Sequence, residues 1–180
     1  MVATTDKKIE LTAEQKTERY TPAKYIRMVK EVFGGEIELD PASCEEANKV
    51  VGANRFFTIE DNGLEQSWQA ETLFLNPPYR KILPWVNKLL TELSIHPKLQ
   101  AILLVNVCTD TEWFKEIYEA SEFIGVSICF VKGRIKFYSP YTNETDTSPE
   151  KPSMFVCFGH PDTRGVFKYT FSQIGHVVEL

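Results

Sequence analysis

The chain has 180 residues, of which 43% are hydrophobic and 12% aromatic, a composition that supports one domain with a sizeable core and excludes a disordered chain. Its formal net charge is −5 and its pI is about 5.3, which exclude a protein that holds nucleic acid through overall charge, so any DNA binding needs a local basic face. Because the sequence shows no signal peptide and no apolar run of about 18 residues, we expect a soluble cytoplasmic protein without a membrane partner.

The first third of the chain predicts one helix and two short strands. Residues 1–18 are polar with little periodicity, and they predict a flexible N-terminal arm before a single domain at 19–180. Thr21 and Pro22 predict the N-cap and first turn of a helix over 23–33, which a glycine pair ends. The segments that follow predict strands at 36–39 and 56–58, with a helix or structured loop at 42–51 between them.

The middle of the chain alternates strand and helix patterns. Residues 81–93 carry apolar side chains at helical spacing, and 101–107 form the continuous apolar run of a strand buried on both faces. The other predicted elements are strands at 72–75, 123–131 and 134–138 and a helix at 112–120.

The last part of the chain predicts two strands and no helix. A loop rich in polar residues and proline, 139–152, precedes strand candidates at 154–158 and 166–171, which we expect to form a hairpin. Taken together, the elements predict an α/β fold with an open, mostly parallel central sheet and a C-terminal antiparallel hairpin.

The strand at 72–75 ends at Asn76-Pro77-Pro78-Tyr79, which we interpret as a catalytic turn. In an open α/β sheet, ligands bind beyond the carboxyl ends of the strands. Two prolines fix the backbone and remove two N–H donors, which leaves carbonyl acceptors, and Asn76 adds a side-chain carbonyl. These acceptors suit the methylation of a planar amino group by a sulfonium donor, with Tyr79 offering a face on which a flipped base can stack.

The sequence resembles the small phage-type DNA N-6-adenine methyltransferases, the phage Dam family. The resemblance runs from Tyr20 to about Phe158, and its order and spacing are more specific than any single motif. It is carried by Thr21-Pro22, Leu39-Asp40-Pro41-Ala42-Ser43, Phe57-Thr58, Asp61, Gly63-Leu64, Trp68, Asn76-Pro77-Pro78-Tyr79, Trp85 and Gly133-Arg134-Ile135-Lys136-Phe137.

This resemblance implies a Rossmann-like fold that binds S-adenosylmethionine and methylates N6 of adenine in double-stranded DNA. It also implies a phage or prophage origin and the bacterial host cytoplasm. The motif Asn76, Pro77, Pro78 and Tyr79 matches the catalytic residues. The residues that the resemblance gives to the cofactor are Tyr20, Thr21, Pro22, Asp40, Pro41, Ala42, Asp61 and Asn76.

Five basic residues flank these motifs and are candidates for phosphate contacts. Arg80 and Lys81 follow the catalytic turn, while Lys132, Arg134 and Lys136 surround Gly133. They would give an acidic protein one basic face. The four cysteines and three histidines show no metal-ligand spacing, so we expect no metal.

Several alternatives stay open at this point. The same chemistry suits an RNA base, N4 of cytosine or a glutamine amide, and a non-catalytic DNA-binding relative would keep the fold without turnover. The recognised DNA site and the oligomeric state are open, and so is the choice between evasion of host restriction and regulation of the phage cycle.

Overall fold

The computed structural model describes residues 19–138 and 151–180, so the predicted arm at 1–18 and residues 139–150 of the predicted loop lie outside it. The helices are α1 (Ala23–Val32), α2 (Glu45–Val51), α3 (Ile82–Ile95), α4 (Glu112–Ala120) and α5 (Pro161–Phe171). The strands are β1 (Ile37–Asp40), β2 (Ala53–Phe56), β3 (Thr72–Leu75), β4 (Gln100–Asn106), β5 (Val126–Val131), β6 (Ser153–Phe158) and β7 (Gly175–Glu179).

The described strands form one sheet in the order β2-β1-β3-β4-β6-β5-β7. β1 pairs in parallel with β2 and β3, and β3 pairs in parallel with β4. β6 runs antiparallel to both of its neighbours, and β7 runs antiparallel to β5. The chain is therefore a mixed α/β protein in which β2, β1, β3, β4 and β5 share one direction.

Two hydrophobic cores cover the two faces of the sheet. On β4 the buried side chains alternate, so that Ala101, Leu103 and Val105 face α3 and α4. Ile102 and Leu104 face the opposite core, which α1, α2 and α5 cover. This alternation explains the continuous apolar run, because both faces of the strand are buried. Among the described helices, none is long and apolar enough to cross a bilayer.

The predicted C-terminal hairpin is wrong. β6 lies between β4 and β5 instead of pairing with the chain that follows it, and residues 166–171 belong to helix α5. The aromatic and β-branched residues of this segment favour a strand locally. Thr163, Phe167, Thr170 and Phe171 are nevertheless buried at helical spacing, and Pro161 stands in the first turn, where proline is favoured. The edge strand β7 was not predicted.

Two local predictions are also wrong. The N-cap of α1 is Pro22, whose side chain carries no acceptor for a capping bond, and the Thr21 hydroxyl accepts a hydrogen bond from Asn76 instead. Residues 134–138 form no strand, and only Tyr138 pairs, in a single antiparallel bridge with Tyr20. Ile135 and Phe137 are nevertheless buried, so the alternation of apolar and polar residues correctly predicted which side chains face the core.

The turn at Gly63 fixes the chain that follows β2. A Cβ at Gly63 would overlap the carbonyl oxygen of Pro41 and approach the Trp85 ring to 3.2 Å. The Gly63 carbonyl accepts the indole N–H of Trp68 at 2.8 Å, and the Trp68 and Trp85 rings stack with centroids 6.0 Å apart. The turn is thus held against the loop after β1 by a contact that only glycine permits.

We expect Gly63→Ala to lower the free energy of unfolding by about 2 kcal/mol, because the added methyl group has to displace the Pro41 backbone. Urea denaturation followed by circular dichroism measures this change.

The matched control is Gly165→Ala in the middle of α5, where a Cβ meets nothing within 4 Å. That change is expected to stabilise the protein by roughly 0.5–1 kcal/mol, since alanine is the better helix former. Equal effects of the two substitutions would contradict the close contact at Gly63.

Candidate active site

The candidate site lies where the chain leaves β1 and β3 on opposite faces of the sheet. These strands are parallel neighbours, with Leu39 opposite Leu73, so their carboxyl ends meet at one edge. After β1 the chain enters α2, which packs with α1, whereas after β3 it enters α3, which packs with α4. Such a divergence opens a crevice at the carboxyl edge of the sheet, the usual ligand site of open α/β sheets. Asp40 and Asn76 stand on its two sides.

Asn76 is held by its amide nitrogen. Its Nδ2 donates to the backbone carbonyl of Arg19 at 3.0 Å and to Oγ1 of Thr21 at 3.3 Å. Within the described part of the chain, no donor is hydrogen-bonded to Oδ1. The side chain is half-buried, so this oxygen remains an acceptor at the rim of the crevice.

The rest of the turn places further acceptors and one aromatic ring. Pro77 is buried and Pro78 is exposed, and the Pro78 carbonyl accepts the N–H of Lys81 at 3.1 Å. Among the described residues, no backbone N–H outside the helices and strands donates to the Pro77 carbonyl. Backbone and side-chain acceptors therefore stand next to each other at the end of β3.

Tyr79 packs edge-on against Phe137, with ring centroids 6.3 Å apart. Its hydroxyl is buried without a hydrogen-bond partner in the described residues, and this burial raises the pKa of Tyr79 well above its ordinary value. The contact joins the predicted catalytic turn to the segment 134–138, which carries two of the predicted basic residues.

Asp40 ends β1 as a buried carboxyl group. Burial raises the pKa of Asp40 to about 7, although the Ser43 side chain and the Ala42 N–H act to lower it. The Ala42 N–H lies 3.3 Å from Oδ1 of Asp40. Pro41 is buried behind this group and touches the Gly63 turn. A cation that entered the crevice would therefore stabilise the ionised form of this carboxyl group.

Tyr20 ties three segments together at this edge. Its backbone exchanges two hydrogen bonds with Tyr138, at 2.9 and 3.0 Å, and its hydroxyl lies 3.0 Å from Sγ of Cys44. Cys44 is the N-cap of α2 and directly follows the loop after β1. These contacts link four of the predicted cofactor residues. Asn76 bonds to Thr21, which follows Tyr20 in the chain, and Tyr20 reaches the loop after Asp40 through Cys44.

Asp61 lies in the turn that precedes Gly63. Its Oδ2 accepts the N–H and the hydroxyl of Thr58, each at 2.8 Å, and these bonds lower the pKa of Asp61. The carboxylate is exposed and ordered. Pro22, at the start of α1, is the remaining predicted cofactor residue and is partly buried.

The five predicted basic residues are all exposed. Arg80 and Lys81 follow Tyr79 directly. Arg134 and Lys136 point outward from a segment whose Ile135 and Phe137 are buried, and Lys132 precedes it. None of the five forms an ion pair with another residue in the described ranges, so their charges are available to an anionic ligand.

Four site contacts were not foreseen. The Arg19 carbonyl that holds Asn76 is a backbone group, and every residue type has one, so the sequence could not indicate it. Cys44 as an N-cap lies outside the usual capping set. The contact of Gly63 with Pro41 and that of Phe137 with Tyr79 join residues far apart in the chain.

Within 19–138 and 151–180, no cluster of acidic, histidine or cysteine side chains is suited to a metal ion.

Comparison with known proteins assigns the family. The model of a family described as DNA N-6-adenine-methyltransferase (Dam) matches residues 8–173. The chain is also 28% identical over 160 residues to a protein of Haemophilus phage HP1 (strain HP1c1) named DNA N-6-adenine-methyltransferase, covering 88% of each chain. Because the matched residues include every segment that forms the crevice, the chain belongs to the DNA N-6-adenine-methyltransferase (Dam) family.

Proposed function

We propose that this protein transfers a methyl group from S-adenosylmethionine to N6 of an adenine flipped out of double-stranded DNA. The observation that carries the proposal is the orientation of Asn76, whose Nδ2 is bonded to the protein and whose Oδ1 is left to accept a hydrogen bond at the carboxyl edge of the sheet. The family membership supports the same reaction.

The proposed chemistry needs two acceptors and no strong base. Oδ1 of Asn76 and the carbonyl of Pro77 accept the two N–H bonds of the adenine amine, so that its lone pair is freed from the ring. S-adenosylmethionine, when bound, would supply an electrophilic methyl group on its sulfonium, whose transfer to the amine nitrogen would leave the sulfur as a thioether and release one amine proton to solvent. Positioning carries most of the rate acceleration.

We infer a Rossmann-like methyltransferase arrangement for the sheet. The support is the divergence of the chain after β1 and β3 at the carboxyl edge of the sheet, where open α/β sheets bind their ligands. The candidates for cofactor contacts at the end of β1 are Asp40, Pro41 and Ala42, and Thr21, beside Asn76, is another. Asp61, ordered by Thr58, is the candidate partner of the donor's adenosine portion, and Tyr20 and Pro22 are the remaining candidates for cofactor contacts.

The buried Asp40 fits a cationic cofactor. A carboxylate that burial disfavours is stabilised when a positive group enters beside it, and S-adenosylmethionine carries positive charge on its sulfonium and ammonium groups. This fit depends on the charge of the ligand, which a neutral nucleoside lacks.

Binding of DNA is assigned to the exposed basic residues. The flipped base is proposed to stack on Tyr79, while Arg80, Lys81, Lys132, Arg134 and Lys136 contact phosphates on either side. The proposed setting is the host cytoplasm of a phage or prophage, where unmethylated duplex DNA is present.

A labelled-methyl assay tests the proposal. Purified protein and labelled S-adenosylmethionine are incubated with unmethylated duplex DNA, structured RNA and protein, and the modified base is identified by mass spectrometry. Label in DNA as N6-methyladenine is expected. Label only in RNA, only in protein or only as N4-methylcytosine would replace the proposed substrate, and DNA binding without transfer would indicate a non-catalytic relative.

We expect Asn76→Ala to lower kcat for DNA methylation by roughly 100-fold or more, because one of the two acceptors of the amine is removed. Thermal unfolding should change little, since Asn76 is only half-buried. Single-turnover transfer of labelled methyl groups measures the loss.

Asn87→Ala is the matched control, because Asn87 is an exposed asparagine within α3. It should keep the rate of the unsubstituted protein. A kcat of the Asn76 variant within twofold of that rate would refute the role given to Oδ1.

The affinity for S-adenosylmethionine should rise with pH up to about 7. The pKa of Asp40 in the free protein is about 7, and the positive ligand lowers it, so binding releases a proton at acidic pH. The affinity then grows by up to roughly tenfold per pH unit below 7 and levels off above it. Calorimetric titration between pH 5.5 and 8.5 measures the profile.

Asp40→Asn should remove this slope, because no proton is left to release. In Asp61→Asn the slope should persist, since the pKa of Asp61 is already lowered and its carboxylate stays ionised through the same range. A flat profile in the unsubstituted protein would contradict the proposed contact between Asp40 and the cofactor.

Removing the charges of Arg134 and Lys136 together should raise KM for DNA several-fold and reduce the salt dependence of DNA binding. The log–log slope against salt is expected to fall by about 0.9 for each phosphate that the protein no longer neutralises. Fluorescence anisotropy at several salt concentrations measures it.

Lys168→Ala is the control for net charge alone, compared with the double variant per positive charge removed. Lys168 pairs with Glu179 at 3.0 Å, and Glu179 lies opposite Ser127 near the amino end of β5, away from the crevice. An equal decrease of slope in this control would show that only net charge matters.

A further inference from the structure

The side-chain amide of Asn76 can adopt two orientations, and the residue type alone does not determine which one is populated. The oxygen and nitrogen ends of an amide have almost the same shape, so a half-turn of the side chain exchanges an acceptor for a donor. Under the proposed function, only Oδ1 helps at the crevice, because an Nδ2 placed there would oppose the N–H groups of the adenine amine. The protein therefore has to select one of two nearly isosteric states.

Two acceptors make that selection. The Arg19 carbonyl, 3.0 Å from Nδ2, can accept but never donate. A half-turn of Asn76 would bring Oδ1 against this oxygen, removing a hydrogen bond and opposing two partial negative charges. The Thr21 hydroxyl, 3.3 Å from Nδ2, accepts the second N–H and keeps its own proton for another partner.

Thr21 is free to act in this way because the helix does not use it. Its side chain is 5% exposed, and the N-cap of α1 is Pro22. The backbone of Tyr20, between the two acceptors, is fixed by its paired hydrogen bonds to Tyr138. The Arg19 carbonyl and the Thr21 hydroxyl thus stand on one ordered segment beside the end of β3.

We propose that Thr21 is a positioning residue, whose hydroxyl acts with the Arg19 carbonyl to hold Asn76 with Oδ1 toward the crevice. The catalytic consequence rests on the proposed function, whereas the orientation itself does not. A contact of Thr21 with the cofactor remains compatible, because the hydroxyl still has a proton to donate. The role concerns the rate of methyl transfer and not the affinity for DNA.

The first experiment needs no activity. In the nitrogen–proton correlation spectrum of the free full chain, the Asn76 side-chain amide is identified by its absence in Asn76→Ala. Thr21→Val is expected to shift this amide pair and to speed its exchange with solvent, while Thr21→Ser leaves both close to the original. An Asn76 amide signal that Thr21→Val does not move would overturn the proposal.

The second experiment is a double-substitution cycle on the transfer rate. Thr21→Val should lower kcat roughly tenfold, with KM for DNA within twofold, and Thr21→Ser should restore kcat to within twofold. In an Asn76→Ala background, Thr21→Val should cost less than a further twofold in kcat, because its partner is gone. A full tenfold loss of kcat in that background, or a loss expressed mainly in KM for DNA, would overturn it.

Thr72→Val is the matched control for both experiments. Thr72 is a buried threonine at the opposite end of β3, and its hydroxyl accepts from the Glu38 N–H at 3.1 Å and donates to the Glu36 carbonyl at 3.2 Å. Its replacement should lower stability and leave the Asn76 amide and kcat unchanged. If the unsubstituted protein transferred no methyl group while the spectral result held, the proposed function would fail and the orientation would stand.

Discussion

The parallel pairing of β1 with β3 is the constraint on which the rest of the candidate site depends. It brings the end of one short strand, at Asp40, beside the end of another, at Asn76, although the two residues are far apart in sequence. The helices that follow these strands cover opposite faces of the sheet. Backbone connections therefore diverge from these two strand ends, which carry Asp40 and Asn76 at the edge of the sheet where ligands usually bind.

The loops around this crevice are braced by contacts that local sequence does not provide. The Gly63 turn lies against the Pro41 carbonyl, so the chain after β2 cannot move without the loop after β1. Tyr20 connects that loop, through Cys44, to Tyr138. Phe137, one residue before, touches Tyr79. A site intended to position a base and a methyl donor gains from such bracing, because transfer depends steeply on the distance and angle of the reacting atoms.

The distribution of charge resolves the conflict between an acidic chain and an anionic substrate. The net charge of −5 disfavours DNA over most of the surface. Arg134 and Lys136 are presented outward because the alternate residues Ile135 and Phe137 are buried. Burial of two apolar side chains thus orients two cations beside the turn at Asn76. Under the proposed function, these cations and their neighbours supply the contacts with DNA phosphates.

The sequence by itself determined the elements with strong periodicity and the position of the Asn76-Pro77-Pro78-Tyr79 turn. β3 was predicted with its observed bounds, α3 and β4 within two residues, and the turn at Asn76 was placed at a strand end because its prolines forbid a continued strand. Only the tertiary structure decided where β6 lies in the sheet, that 166–171 is helical, and that Thr21 serves Asn76 and not α1. The physical reason is that these outcomes depend on partners distant in the chain. Strand pairing, burial against α1 and the direction of a single hydroxyl are selected by the assembled core, whereas residue pattern encodes only local preference and the face that is to be buried.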